Sequence, residues 1–207
     1  MKAEIEAWQK ALLSDLGPKL KSLGFTKKRG QSFERVTESG RQACHVSFIE
    51  HEADFDVTAD IAIRFDAVEE LLNKGDGLMT KSEKAETFTL GCELGNLTRG
   101  EQMRWTVSGP SDIPKVSEAI AAAFESAGMR YFDDLSSMER AFEVLSDDEL
   151  GQLHMPIDLR RTQSAIVLAY LLDRGDLPAM VERKRKYLLS RDEPRMAVFE
   201  DFVGRLM

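Results

Sequence analysis

Three features of the sequence predict an α+β fold, with an antiparallel sheet of about five strands packed against helices and an all-helical C-terminal tail behind it. Apolar residues recur every three or four positions at the start of the chain, alternate with polar ones through the middle, and return to helical spacing from residue 136 onward. The connections between the alternating segments are short, which makes neighbouring strands antiparallel. A boundary near Leu150 then separates an α+β domain, residues 1–150, from a helical C-terminal subdomain, residues 151–207.

Residues 4–23 place Ile5, Trp8, Leu12, Leu16 and Leu20 on one helical stripe. Gly17-Pro18 sits inside it, where proline removes a donor and crowds the preceding turn, so a kink or split is open there. Gly24 is a natural stop. Phe25 and residues 32–36, 41–50 and 55–65 read as strands, with turns at 38–40 and 51–54. The clearest strand sets Phe55, Val57, Ala59, Ile61, Ile63 and Phe65 on one face against Asp56, Thr58, Asp60 and Arg64 on the other, one face buried and one wet. Asp66-Ala67-Val68-Glu69 matches a capping box at the head of a short helix. Residues 75–84 combine glycine and charge without a period and are expected to form a mobile loop.

Alternation resumes over residues 87–94 and 103–107, joined by a turn over 95–101. Asp112 and Pro114 open a helix whose stripe is Val116, Ile120, Ala123, Phe124 and Ala127, ending at Gly128. Ser136 with Glu139, and Ser146 with Glu149, both spell the serine-to-glutamate cap. Helices over 159–172, 177–189 and 195–207 follow, and Asp173-Arg174-Gly175-Asp176 turns the first two into antiparallel neighbours.

Composition narrows the class further. A chain of 207 residues, 43% hydrophobic and 31% charged, can bury a substantial core and is neither disordered nor membrane-embedded. No apolar run reaches the ~18 residues of a spanning helix, and Met1-Lys2-Ala3-Glu4-Ile5-Glu6 lacks the cationic start and apolar core of an export signal, so the expected location is cytoplasmic. Cys44 and Cys92 fall in strand patterns and read as reduced core residues. The net charge of −8 opposes attraction to nucleic acid or anionic lipid and favours a basic partner.

The run Leu20-Lys21-Ser22-Leu23-Gly24-Phe25-Thr26-Lys27-Lys28, followed by Phe33 and the long strand from Phe55, resembles domain-of-unknown-function family 4304 over residues 10–150. The resemblance implies a helix ending in Leu-Gly-Phe and leading into strands. It implies no reaction and no catalytic residues, and the tail after Leu150 lies outside it.

The chemistry-bearing residues point away from motif-based enzymes. His51-Glu52 lacks the second histidine of a zinc helix, and Glu50, His51, Glu52, Asp54 and Asp56 read as a solvated acidic tip rather than a metal site. Cys44 and His45 face opposite sides of a strand, and no phosphate loop, dinucleotide motif or nucleophile elbow occurs. Lys27-Lys28-Arg29 and Arg183-Lys184-Arg185-Lys186 lack interleaved aromatics and read as solvated faces. No cofactor or metal is therefore expected.

What remains is the second face of the sheet, where alternation gathers His45, Ser47, Thr58, Asp60, Thr89, Glu93, Arg104 and Thr106. The primary reading is a non-catalytic binding protein that docks a basic protein partner through its acidic surface or this open sheet face, in a neutralising or immunity-like role. The alternative is an enzyme or small-molecule binder using His45, Asp60, Glu93 and Arg104 of the same face.

Overall fold

The computed structural model describes residues 2–74, 77 and 79–207. It is an α+β protein in which a six-stranded sheet accompanies eleven helices among the described residues. The elements of the first half are α1 (Lys2–Ser22), β1 (Thr26–Lys27), β2 (Ser32–Thr37), β3 (Gly40–Glu50), β4 (Phe55–Phe65), α2 (Asp66–Asn73), α3 (Lys81–Ala85), β5 (Leu90–Glu93), α4 (Leu94–Thr98) and β6 (Trp105–Val107). After these come α5 (Ile113–Ala123), α6 (Met129–Leu135), α7 (Met138–Ser146), α8 (Gly151–His154), α9 (Asp158–Leu171), α10 (Leu177–Ser190) and α11 (Met196–Leu206).

The sheet order is β1-β2-β3-β4-β5, with β6 also on β4. β2 and β3 form the expected hairpin, with Ser32 opposite His45 and Thr37 opposite Gly40. β6 pairs antiparallel with the beginning of β4, placing Thr106 opposite Asp56, rather than continuing a meander from β5. The expected turn over 95–101 is the reason. Leu94 starts α4 instead of extending the strand, and the chain leaves the end of β5 as a helix.

The chain divides into two compact units that interleave in sequence. The first comprises Met1–Ala62 and Cys92–Asp133, the second Ile63–Gly91 and Asp134–Met207. Leu150, where the sequence suggests a boundary, lies inside the second.

In the first unit α1 runs unbroken through Pro18, burying Leu12, Leu16 and Leu20 and packing on α5. Tertiary burial outweighs the lost helical hydrogen bond. Phe25 meets Phe124 edge-on at 4.9 Å and stacks with Phe132 at 5.4 Å, an aromatic cluster at the centre of this core. Gly128 does not stop the helix it follows. A π-type turn over Phe124–Gly128 carries the chain from α5 directly into α6, and a Cβ at Gly128 would come within 3.0 Å of Phe124 Cδ2, so glycine serves close packing there.

In the second unit α2 and α7 both pack on α9, whose residues Ala165 to Ala169 are almost wholly buried. Several expected caps are reassigned. Asp66 is the first residue of α2, not its cap, and receives the Arg64 guanidinium at 2.6 Å, while Glu69 turns inward. A true capping box occurs at α3, where Thr80 Oγ1 accepts from Glu83 N and Glu83 returns a carboxylate to Thr80 N. The expected loop over 75–84 thus contains a helix start, and its residues 75, 76 and 78 lie outside the described ones. Ser137 rather than Ser136 caps α7, and Asp147 rather than Ser146 accepts from Glu149 N and Leu150 N. The three tail helices lie where expected.

Candidate functional site

The polar face of the first unit's sheet is assembled by strand alternation. On β4, Asp56, Thr58 and Asp60 point opposite to the buried Val57, Ala59 and Ile61. Ser32 on β2 and His45 on β3 are direct cross-strand neighbours, and Ser32 Oγ lies 2.8 Å from His45 Nδ1. Thr106 on β6 donates to Asp56 Oδ1 at 2.7 Å, with His51 Nε2 at 3.3 Å and Arg104 Nη1 at 3.8 Å from the other carboxylate oxygen. The hydrogen bond from Thr106, joined by those two neighbours, holds the Asp56 carboxyl below its ordinary range. The face crosses β2, β3, β4 and β6.

Asp60 differs from the rest. It is half-buried and accepts no hydrogen bond from any described residue. Burial pushes its carboxyl above the ordinary aspartate value, and the nearby His45 works against that shift.

The remaining expected residues separate from this group. Thr58 belongs to the face but is only 3% exposed. Glu93 is buried and caps α4, accepting from Gly95 N at 2.8 Å, Asn96 N at 3.2 Å and Met103 N at 3.2 Å. Gly95 permits this turn, since a Cβ there would lie 2.3 Å from Met103 N. Thr89 is fully buried in the second unit, where its hydroxyl accepts from Phe65 N and donates to Glu69 Oε1 at 3.0 Å. Cys44 and Cys92 are free and buried, and burial pushes each thiol up to about 12, out of nucleophilic range.

A second arrangement, in the other unit, was not legible as a site in the sequence. Glu69 is fully buried and receives Thr89, the Arg160 guanidinium and, at 3.9 Å, Arg64. Arg64 also donates to Thr87 O at 2.8 Å and Lys84 O at 3.1 Å. Arg64 and Glu69 of this network line an open groove of about 870 Å³ between α2, α3 and α9. The only hint in the sequence was lysines 74, 81 and 84 around a stretch that reads as loop.

Further along the second unit, the fully buried Arg161 joins Asp158, Tyr187 Oη and Met155 O, and Lys184 joins Asp148 and Ser146 O. These contacts tie α9 and α10 to the α7–α8 connection. Lys184, expected on a solvated face, is therefore a structural residue, and burial lowers the pKa of its ammonium.

Among the described residues no group of three or more His, Cys, Asp or Glu is placed to hold a metal ion, and no helix is long and apolar enough to cross a membrane. Comparison with protein families, curated proteins and solved structures finds no match for the chain.

Proposed function

We propose that the chain is a non-catalytic cytoplasmic binding protein that docks a basic protein partner on the polar sheet face of its first unit, in a neutralising or immunity-like role. The observation that carries this reading is Asp60, a half-buried carboxylate on a sheet face with no hydrogen-bond donor among the described residues. A lysine or arginine from a partner would supply the missing donor and offset the desolvation. The net charge of −8 favours encounter with such a partner, and Asp56 and Thr106 lie on the same face as further acceptors.

The alternative, an enzyme or small-molecule binder at this face, has one specific observation in its favour: the Ser32–His45 contact pairs a hydroxyl with a base. Against it, the Glu93 carboxylate, one of the four groups it would enlist, is committed to backbone amides. The resemblance to family 4304 brings no reaction to either reading.

The test is capture from a lysate of the source cells by the full-length chain with a crosslinker. A lysine- and arginine-rich protein crosslinked to the sheet face is expected with the wild type, lost with Asp60→Lys and kept with Lys186→Glu on the exposed side of α10. Capture indifferent to Asp60→Lys, or no capture, would count against docking. Loss of small-molecule binding in Ser32→Ala and His45→Ala would favour the alternative.

A further inference from the structure

We infer that the second unit carries a binding site for a small amphiphilic anion, an acidic head group on a single apolar tail, in the groove between α2, α3 and α9. The site is independent of the sheet face and of the docking reading.

The groove, of about 870 Å³, is floored by Leu71, Tyr170 and Leu171. Its size falls within the range of about 300–1,000 Å³ typical of small-ligand sites. A smaller cavity of about 480 Å³ shares Leu71, Lys74 and Tyr170 with it and extends the apolar surface to Phe202 and Leu206 of α11. Tyr170 is 46% exposed although the preceding five residues of α9 are almost wholly buried, so an aromatic ring is presented to the groove rather than packed away.

Charge sets the ligand's sign. Lys74, Lys81 and Lys84 line the groove, and none of the three side chains forms an ion pair with a described residue. Most other cations of the same unit are paired: Arg140 with Glu143, Arg160 with Glu69, Arg174 with Asp176, Lys184 with Asp148, Arg185 with Glu200 and Arg195 with Glu193. Of the described lining carboxylates, Glu69 is compensated by Arg64 and Arg160, leaving Glu70 alone against three lysines. A cationic rim over an apolar floor, in a chain of net charge −8, complements a ligand with one anionic end and one apolar end. The Arg64–Glu69–Arg160 network holds the wall in place without the ligand.

The probe is anilinonaphthalene sulfonate, an aromatic anion whose fluorescence reports transfer to an apolar site, titrated into the full-length chain. A single saturable site is expected. Lys74→Glu, Lys81→Glu and Tyr170→Ala, all substitutions of exposed side chains, are each expected to weaken it about tenfold, and Lys186→Glu to leave it unchanged. The uncharged analogue phenylnaphthylamine is expected to bind at least about tenfold more weakly. Dodecanoate should displace the probe, whereas dodecanol and inorganic phosphate should not. The inference is overturned if no saturable site exists, if charge reversal leaves affinity unchanged, if the uncharged analogue binds equally, if dodecanoate fails to displace the probe, or if phosphate or dodecanol displaces it as well as dodecanoate does. Urea midpoints of the variants establish that any loss is of binding rather than of the fold.

Discussion

Individual side chains carry most of the functional reading, and Asp60 makes its own stability prediction. Its folded-state pKa is raised, so the folded chain holds the proton more tightly than the unfolded chain. Stability is therefore lost as pH rises from the ordinary aspartate value of 3.8 through the folded value, and the deficit persists at neutral pH. Asp60→Asn is expected to be more stable than the wild type at pH 7, with the advantage shrinking as the pH falls toward 3.8, measured by urea midpoints at both pH values. A residue retained at a cost to stability fits a binding role. Glu69 is the opposite case. Removing this buried carboxylate leaves Arg160 without its partner and Arg64 with Asp66 alone, so Glu69→Leu should lower unfolding stability by about 3–5 kcal/mol, and Glu69→Gln by less because it can still accept from Thr89. Asp60 and His45 were legible because alternation alone decides which face a strand residue takes. Glu69 was not, since the spacing of a capping box is local while the arginine that displaces it from that role lies in α9.

At the scale of elements, hydrophobic period located the strands and the longer helices but missed the short α3, α4 and α6, which lie in stretches that read as loop, turn or connection. Strand residues at 55–65 bury every second side chain on the apolar face as the pattern requires. Residue 94 looks like a continuation of β5 by alternation, yet Glu93 accepts from the first amides of α4 and converts strand to helix at that point. Glu93→Ala removes this cap and the contact to Met103 N, with an expected cost of about 1–2 kcal/mol and faster amide exchange at Gly95, Asn96 and Met103. Unchanged exchange at these amides would mean that the carboxylate does not hold the turn. The pairing of β6 with β4 was illegible for a related reason. Turn length suggests a neighbour, but once α4 intervenes the returning strand can add to whichever edge is free.

Across the whole molecule, what the linear pattern concealed is that the two compact units interleave in sequence. The change from alternating to helical spacing suggests a cut near Leu150, but residues 63–91 belong with 134–207, and α2 and α7 both rest on α9. A fragment ending at residue 150 is expected to lose amide protection throughout α2 and α7, whereas an autonomous domain of residues 1–150 would keep it. The lysine groove was hidden by the same interleaving, because α2 and α3 meet Tyr170 only through the fold.

The central claim is that Asp60 awaits a cation from a basic partner. The most direct measurement is an NMR titration of its side-chain carboxyl in the full-length chain, first alone and then bound to the captured partner. The account predicts a pKa above the ordinary aspartate value in the free protein and below it in the complex. An ordinary value in the free protein, or one that binding leaves unmoved, would contradict it.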